Sequence, residues 1–169
     1  MKVLVDDRLL RTVLLEREPP MLRRVRRGDP LSTTGTWLYR LCQAVADSTV
    51  QGALSGPLAE LPAELRSGVT AKLVAPPTGV GLVSLRELAW DMGNLVHRHP
   101  LNLIALEALA AARHVGAGIC VGAGNISPRL EAAALAEQVR LRVVDVLSGS
   151  ARIRLGAMER RHGAPVCSR

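Results

Sequence analysis

The chain has 169 residues, of which 48% are apolar and 22% charged, and its formal net charge is +7. That length suits one domain able to bury its own core, and that composition excludes wholesale disorder. No apolar run is long enough for a membrane-spanning helix.

Lys2-Val3-Leu4-Val5 is a short β-rich run ending in Asp6-Asp7. Leu9, Leu10, Val13 and Leu14 then repeat at helical spacing, and Pro19-Pro20 ends that helix. Met21, Leu22 and Val25 interleave with Arg23, Arg24, Arg26 and Arg27, which predicts a short helix with a basic outer face. Gly28-Asp29-Pro30 is a turn, and Leu31 to Thr34 is a brief strand. Trp37, Leu38, Leu41, Cys42 and Val45 mark one face of a helix. A Gly- and Ser-rich loop from Asp47 to Pro57 precedes a helix carrying Leu61, Leu65 and Val69. After Pro76-Pro77, Val80 to Val83 forms a strand.

Ser84-Leu85-Arg86-Glu87 has the form of a capping box, opening a helix with Leu85, Leu88, Met92 and Leu95 inward. Pro100 suits the first position of the next helix, which runs to about His114 and is apolar on most sides. Ala117 to Val121 is a strand, Ser127 caps a helix with Pro128 at its start, and Leu141 to Val144 is the last strand. Residues 1–147 thus form one α/β domain, three-layered α/β/α, around a parallel sheet of four or five strands. Residues 148–169 are a basic tail.

The sequence MKVLVDDRLL breaks any leading apolar segment with acids, so no secretory signal is expected. The cysteines Cys42, Cys120 and Cys167 have neither zinc nor disulfide-ladder spacing, which suits a cytoplasmic protein. Phe is absent and aromatics make up 2%, against recognition of nucleic acid by ring stacking. Lys2 and Lys72 are the only lysines, so the positive charge is almost all arginine, whose planar fork suits phosphate.

In a parallel sheet the functional crevice lies beyond the carboxyl ends of the strands, where Asp6, Asp7, Thr33, Thr34, Ser84, the Gly122–Asn125 turn and Asp145 fall. Cys120-Val121-Gly122-Ala123-Gly124-Asn125-Ile126-Ser127 runs from a strand through glycines into a capped helix. Gly122, Gly124, Asn125 and Ser127 are therefore an anion-binding candidate, and nucleotide binding there is one reading. His97 and His99 lie at a helix end without a third metal ligand nearby in sequence.

Val3-Leu4-Val5-Asp6 followed by Asp7-Arg8-Leu9-Leu10 resembles the opening of PIN domains. Leu101 to Ala112, Val115-Gly116-Ala117, Ile119-Cys120-Val121, Pro128 to Ala136 and Arg140 to Val144 resemble that family's last long helix, Gly-Ala turn, fourth strand, final helix and final strand. The family includes ribonuclease toxins of toxin–antitoxin pairs. The resemblance implies a site of three or four carboxylates around Mg²⁺ or Mn²⁺, since hard cations want oxygen ligands and activate water for phosphodiester cleavage.

Asp6, with Asp7 beside it, matches the first acid, and Asp6 is the implied catalytic residue. Arg40 stands where the second acid belongs, and Ala105 where the third belongs. Glu107, two positions further on, is rotated by about 200° along the helix and is expected to point elsewhere, although it is the nearest acid. No acid follows Val121 in the expected place. Asp6, Asp7 and Glu107 are thus the implied metal ligands, and Arg40 is expected to pair with Asp6. The resemblance implies a divergent protein with weak or lost cleavage that contacts RNA through Arg23, Arg24, Arg26, Arg27 and Arg40. An antitoxin-like protein or a second copy of the chain is the implied protein partner. A non-catalytic interaction module is the alternative.

Overall fold

Val3, Leu4 and Val5 have no exposed surface, and every other strand is arranged around them. The computed structural model describes residues 2–47 and 54–145. The basic tail, Cys167 and most of the loop after Asp47 lie outside the described residues.

The elements alternate as the sequence predicts. They are β1 (Val3–Val5), α1 (Asp7–Leu14), α2 (Pro20–Arg26), β2 (Leu31–Thr34), α3 (Gly35–Ala46), α4 (Gly56–Ala59) and α5 (Ala63–Val74). Then come β3 (Val80–Val83), α6 (Leu85–Val96), α7 (Leu103–Val115), β4 (Gly118–Gly122), α8 (Pro128–Ala136) and β5 (Leu141–Val144). The sheet has five strands in the order β3-β2-β1-β4-β5, and all neighbours are parallel. The chain builds outward from β1 to β3, then returns to the opposite side of β1 with β4. That reversal makes the gap between β1 and β4 the topological switch point.

Side chains alternate across each strand, so the two faces bury separate cores. Val3, Val5, Leu31, Cys120 and Val144 pack on one face with Leu9, Leu10, Leu14, Leu22 and Leu41. Leu4, Val83, Ile119 and Val121 pack on the other with Leu88, Leu95 and Leu109. The result is the predicted three-layer α/β/α arrangement.

Side-chain caps fix where helices leave the sheet. Asp6 and Ser84 follow strands, Thr34 ends one, and the three accept from the first turns of α1, α6 and α3 respectively. Ser127 caps α8 by accepting from Leu130 N, as expected. Ser84 Oγ accepts from Arg86 N, and Glu87 N donates to the Ser84 carbonyl.

Several local expectations need correction. The helix assigned to start at Pro100 starts at Leu103, because Asn102 supplies the cap by accepting from Ala105 N at 2.9 Å. Leu85 points outward at 45% exposure, and Leu88, Met92 and Leu95 alone make the inner seam of α6. The helix read from Leu61 is instead α5 from Ala63, whose inward residues are Val69 and Leu73, while Leu65 is 47% exposed. β4 is shifted one residue, from Ala117–Val121 to Gly118–Gly122.

At the opposite end of the sheet from the switch point, Glu137 ties three segments together. Arg98 and His99 reach one of its oxygens at 2.8 Å each, and Arg113 reaches the other at 3.1 Å. The histidine bond is the main reason the Glu137 carboxyl is held below its ordinary range. His97-Arg98-His99 thus contributes a structural tie through Arg98 and His99.

Candidate functional site at the switch point

Asp6 follows the central strand, as the sequence predicts, and its carboxylate is fully buried. Oδ1 accepts from Leu9 N at 2.9 Å, which caps α1. Oδ2 accepts from Gly122 N at 2.8 Å and from Asn125 Nδ2 at 2.7 Å. All three partners are N–H donors, which suits an ionised, acceptor-only carboxylate. Burial nevertheless pushes its pKa up to about 6; the three hydrogen bonds hold it down, and the Asp7 charge raises it slightly further.

Asp7 is equally buried. Its Oδ1 accepts from the same Asn125 Nδ2 at 2.7 Å, so one amide bridges the two carboxylates. Its Oδ2 has no aligned hydrogen bond, but Arg40 Nη1 lies 3.1 Å away as an ion pair. The expected partner of Arg40 was Asp6; the structure gives it Asp7 instead. Asp6 already has three internal donors, whereas Asp7 keeps an oxygen free of aligned bonds, and the guanidinium goes to that unsatisfied charge.

Two further arginines, Arg8 and Arg11, border the acid pair. Arg8 Nη1 donates to the Ala123 carbonyl at 2.8 Å and lies against Gly124, whose φ of +96° no ordinary side chain holds comfortably. A Cβ at Gly124 would approach Arg8 to 3.1 Å, so glycine there serves both the turn and the guanidinium. Arg11 is buried, donates to the Leu54 carbonyl at 2.9 Å, and feels the charges of Asp7 and Asp6. The Asp7–Arg11 spacing, four residues along one helix, was the readable signal.

The glycine turn behaves differently from a phosphate cradle. Gly122 N is used by Asp6, Ala123 N donates to the Val144 carbonyl and Asn125 N to the Gly122 carbonyl. Those amides are engaged within the protein, and Ser127 is engaged as the α8 cap.

Glu107, expected to point away from the acid pair, is fully buried and reaches the carboxyl end of β2, where Thr36 N donates to its two oxygens at 3.1 and 3.4 Å. Thr34 Oγ1 accepts from Trp37 N at 3.3 Å, so two first-turn amides of α3 are satisfied by side chains. A carboxylate at a helix N-terminus is also favoured by the macrodipole. Glu107→Ala is therefore expected to destabilise the fold by about 2 kcal/mol, through a lost charge-assisted bond and a half-buried amide left without its partner. Chemical denaturation of the purified variant measures this, and a loss within about 0.5 kcal/mol would show the contact to be incidental.

A divalent ion would need several of these oxygens at once. Among the described residues no three His, Cys, Asp or Glu side chains converge as a metal site. The Asn125 amide occupies the position between the two carboxylates, and Arg40 covers Asp7. This donor set fits an internal hydrogen-bond network better than Mg²⁺ or Mn²⁺. Cys120, on β4 beside it, is buried with its thiol pushed up to about 11 by desolvation, so it is a packing residue.

The proposed RNA-contacting arginines separate into groups. Arg26 binds Glu18 through two nitrogens at 2.6 and 3.0 Å, and Arg23 lies 3.9 Å from the same carboxylate. Arg24 and Arg27 instead face a cleft against β5. Among the described residues no helix is long and apolar enough to cross a membrane. Compared with protein-family models and with curated proteins, the sequence matches none.

Proposed function

We propose that this chain is a PIN-like protein that contacts RNA through arginines and has weak or no metal-dependent cleavage. The observation carrying this reading is the single Asn125 amide that bridges Asp6 and Asp7, with Arg40 set against Asp7. In a metal-dependent nuclease those carboxylates would hold a divalent cation that activates water. Here neutral nitrogen donors engage Asp6 and one oxygen of Asp7, and Arg40 faces the other, so a cation entering the site would have to displace internal contacts. The +7 charge and the arginines of α2 supply attraction for a phosphate backbone that needs no such metal.

A mixed RNA pool tests both halves. Incubation with Mn²⁺ should leave the pool intact, and filter binding at low salt should retain RNA with an affinity that falls steeply as salt rises. Cleavage that Asp6→Asn abolishes would mean the acids do assemble around metal. Failure to retain RNA at low salt would promote the second reading, a non-catalytic protein-interaction module. That reading is favoured by Trp90, which stands 81% exposed on the outer side of α6.

A further inference from the structure

Arg24 lies in the last turn of α2 and Arg27 is its left-handed C-cap, while Arg142 lies on the edge strand β5 and Arg140 immediately precedes it. All four line one cleft of about 760 Å³ between α2 and β5, with Pro19, Met21 and Val25 supplying an apolar floor. Among the described lining residues these four arginines are accompanied by one acid, Asp145. In register, Arg142 lies beside Cys120 and Val144 beside Gly122, so the cleft follows the sheet edge up to the end where the switch-point turn lies.

We propose that this cleft binds the phosphodiester backbone of a single-stranded nucleic acid. The inference rests on the RNA reading above and gives it a location away from the Asp6–Asp7 pair. Arginine forks on two walls can take successive phosphates, each bidentate. The apolar floor offers surface to sugars and base edges without the stacking rings this chain largely lacks. Binding is accordingly indifferent to sequence. The competing occupant, an acidic peptide added to β5 as a further strand, would turn alternate side chains to the opposite face of the sheet. Only half its charges would meet the arginines, whereas every unit of a phosphodiester chain carries one.

Fluorescence anisotropy with a labelled single-stranded oligouridylate tests the inference across a salt series. Phosphate contacts through Arg24, Arg27 and Arg142 predict a log–log salt slope of about −2. The double variant Arg24→Glu/Arg142→Glu should weaken binding at least about tenfold and flatten that slope. Arg86→Glu/Arg129→Glu makes the same charge change on α6 and α8 and should weaken binding by no more than about threefold. Should the cleft variant fold poorly, Arg24→Gln and Arg142→Gln singly should each reduce the slope by about 0.7. Equal weakening by both double variants would overturn the cleft while leaving RNA contact standing. An absence of wild-type binding at low salt would overturn the RNA reading itself. Competition by polyglutamate at the same charge concentration as the RNA would overturn the phosphodiester assignment.

Discussion

As the pH rises from about 4 to about 6, Asp6 should cost the wild-type protein roughly 3 kcal/mol of stability, and Asp6→Asn should lack that loss. Burial raises the Asp6 carboxyl from 3.8 to about 6 in the folded protein. Between those two values the native state holds a proton that the unfolded state has released. Stability therefore falls with rising pH across that window and levels off above it. Glu137 acts in the opposite sense, because its carboxyl is held below the ordinary value of 4.5; its stabilisation is present above that value and is lost as pH falls through its lowered one. The difference between wild type and Asp6→Asn isolates the Asp6 contribution from such background. Urea midpoints at a series of pH values give that difference, and the carboxyl-carbon NMR titration of Asp6 gives its pKa directly. A flat difference curve with a normal titration would mean that the Leu9, Gly122 and Asn125 donors fully offset burial.

The fold was legible because its signals are local and mutually consistent. Val3 to Val5 reads as a buried parallel strand, and Asp6, Thr34 and Ser127 stand where side-chain caps are wanted. Pattern failed where a neighbour decided the outcome. Pro100 tolerates a helix start, but Asn102 offers a better acceptor two residues later. Leu85 and Leu65 are apolar yet outward, since three residues per two turns suffice to seat α6 and fewer seat α5.

The candidate site was legible only in part. Asp6 could be placed because a strand end fixes it, and the helix spacing brought Glu107 close to the expected position. Its rotation about α7 could not decide its target, because a long side chain covers the turn behind its own Cα and can reach a neighbouring helix end. Which acid Arg40 meets depends on hydrogen bonds formed across more than one hundred residues, such as Asn125 with Asp6 and Asp7. Periodicity carries no information about contacts of that kind. The same limit hid the cleft: Arg24 and Arg142 are far apart in sequence, and Arg26, in the same basic run, is turned to Glu18.

Arg40→Glu should produce the largest loss of all, and Mn²⁺ should reverse part of it. Asp7 is fully buried, while the Arg40 side chain is 37% exposed, so the pair is screened on one side only. Removing the partner of a wholly buried charge costs about 3–5 kcal/mol, which exposure of the guanidinium and the nearby Arg11 reduce here to about 2. Arg40→Met should show that smaller loss. The glutamate variant adds repulsion between two carboxylates in a poorly solvated place, for a total of about 3–4 kcal/mol at neutral pH. It also supplies another hard oxygen beside Asp7, the kind of ligand a divalent ion needs to exchange for its water. Thermal unfolding with and without millimolar Mn²⁺ separates the two effects: the glutamate variant should recover in metal, while the methionine variant and wild type should not. Calorimetric titration should find Mn²⁺ binding in Arg40→Glu alone. Tight binding by wild type would instead mean that the Asn125 amide yields readily to a cation, and that the Asp6–Asp7 pair is a working metal site with Arg40 at its rim.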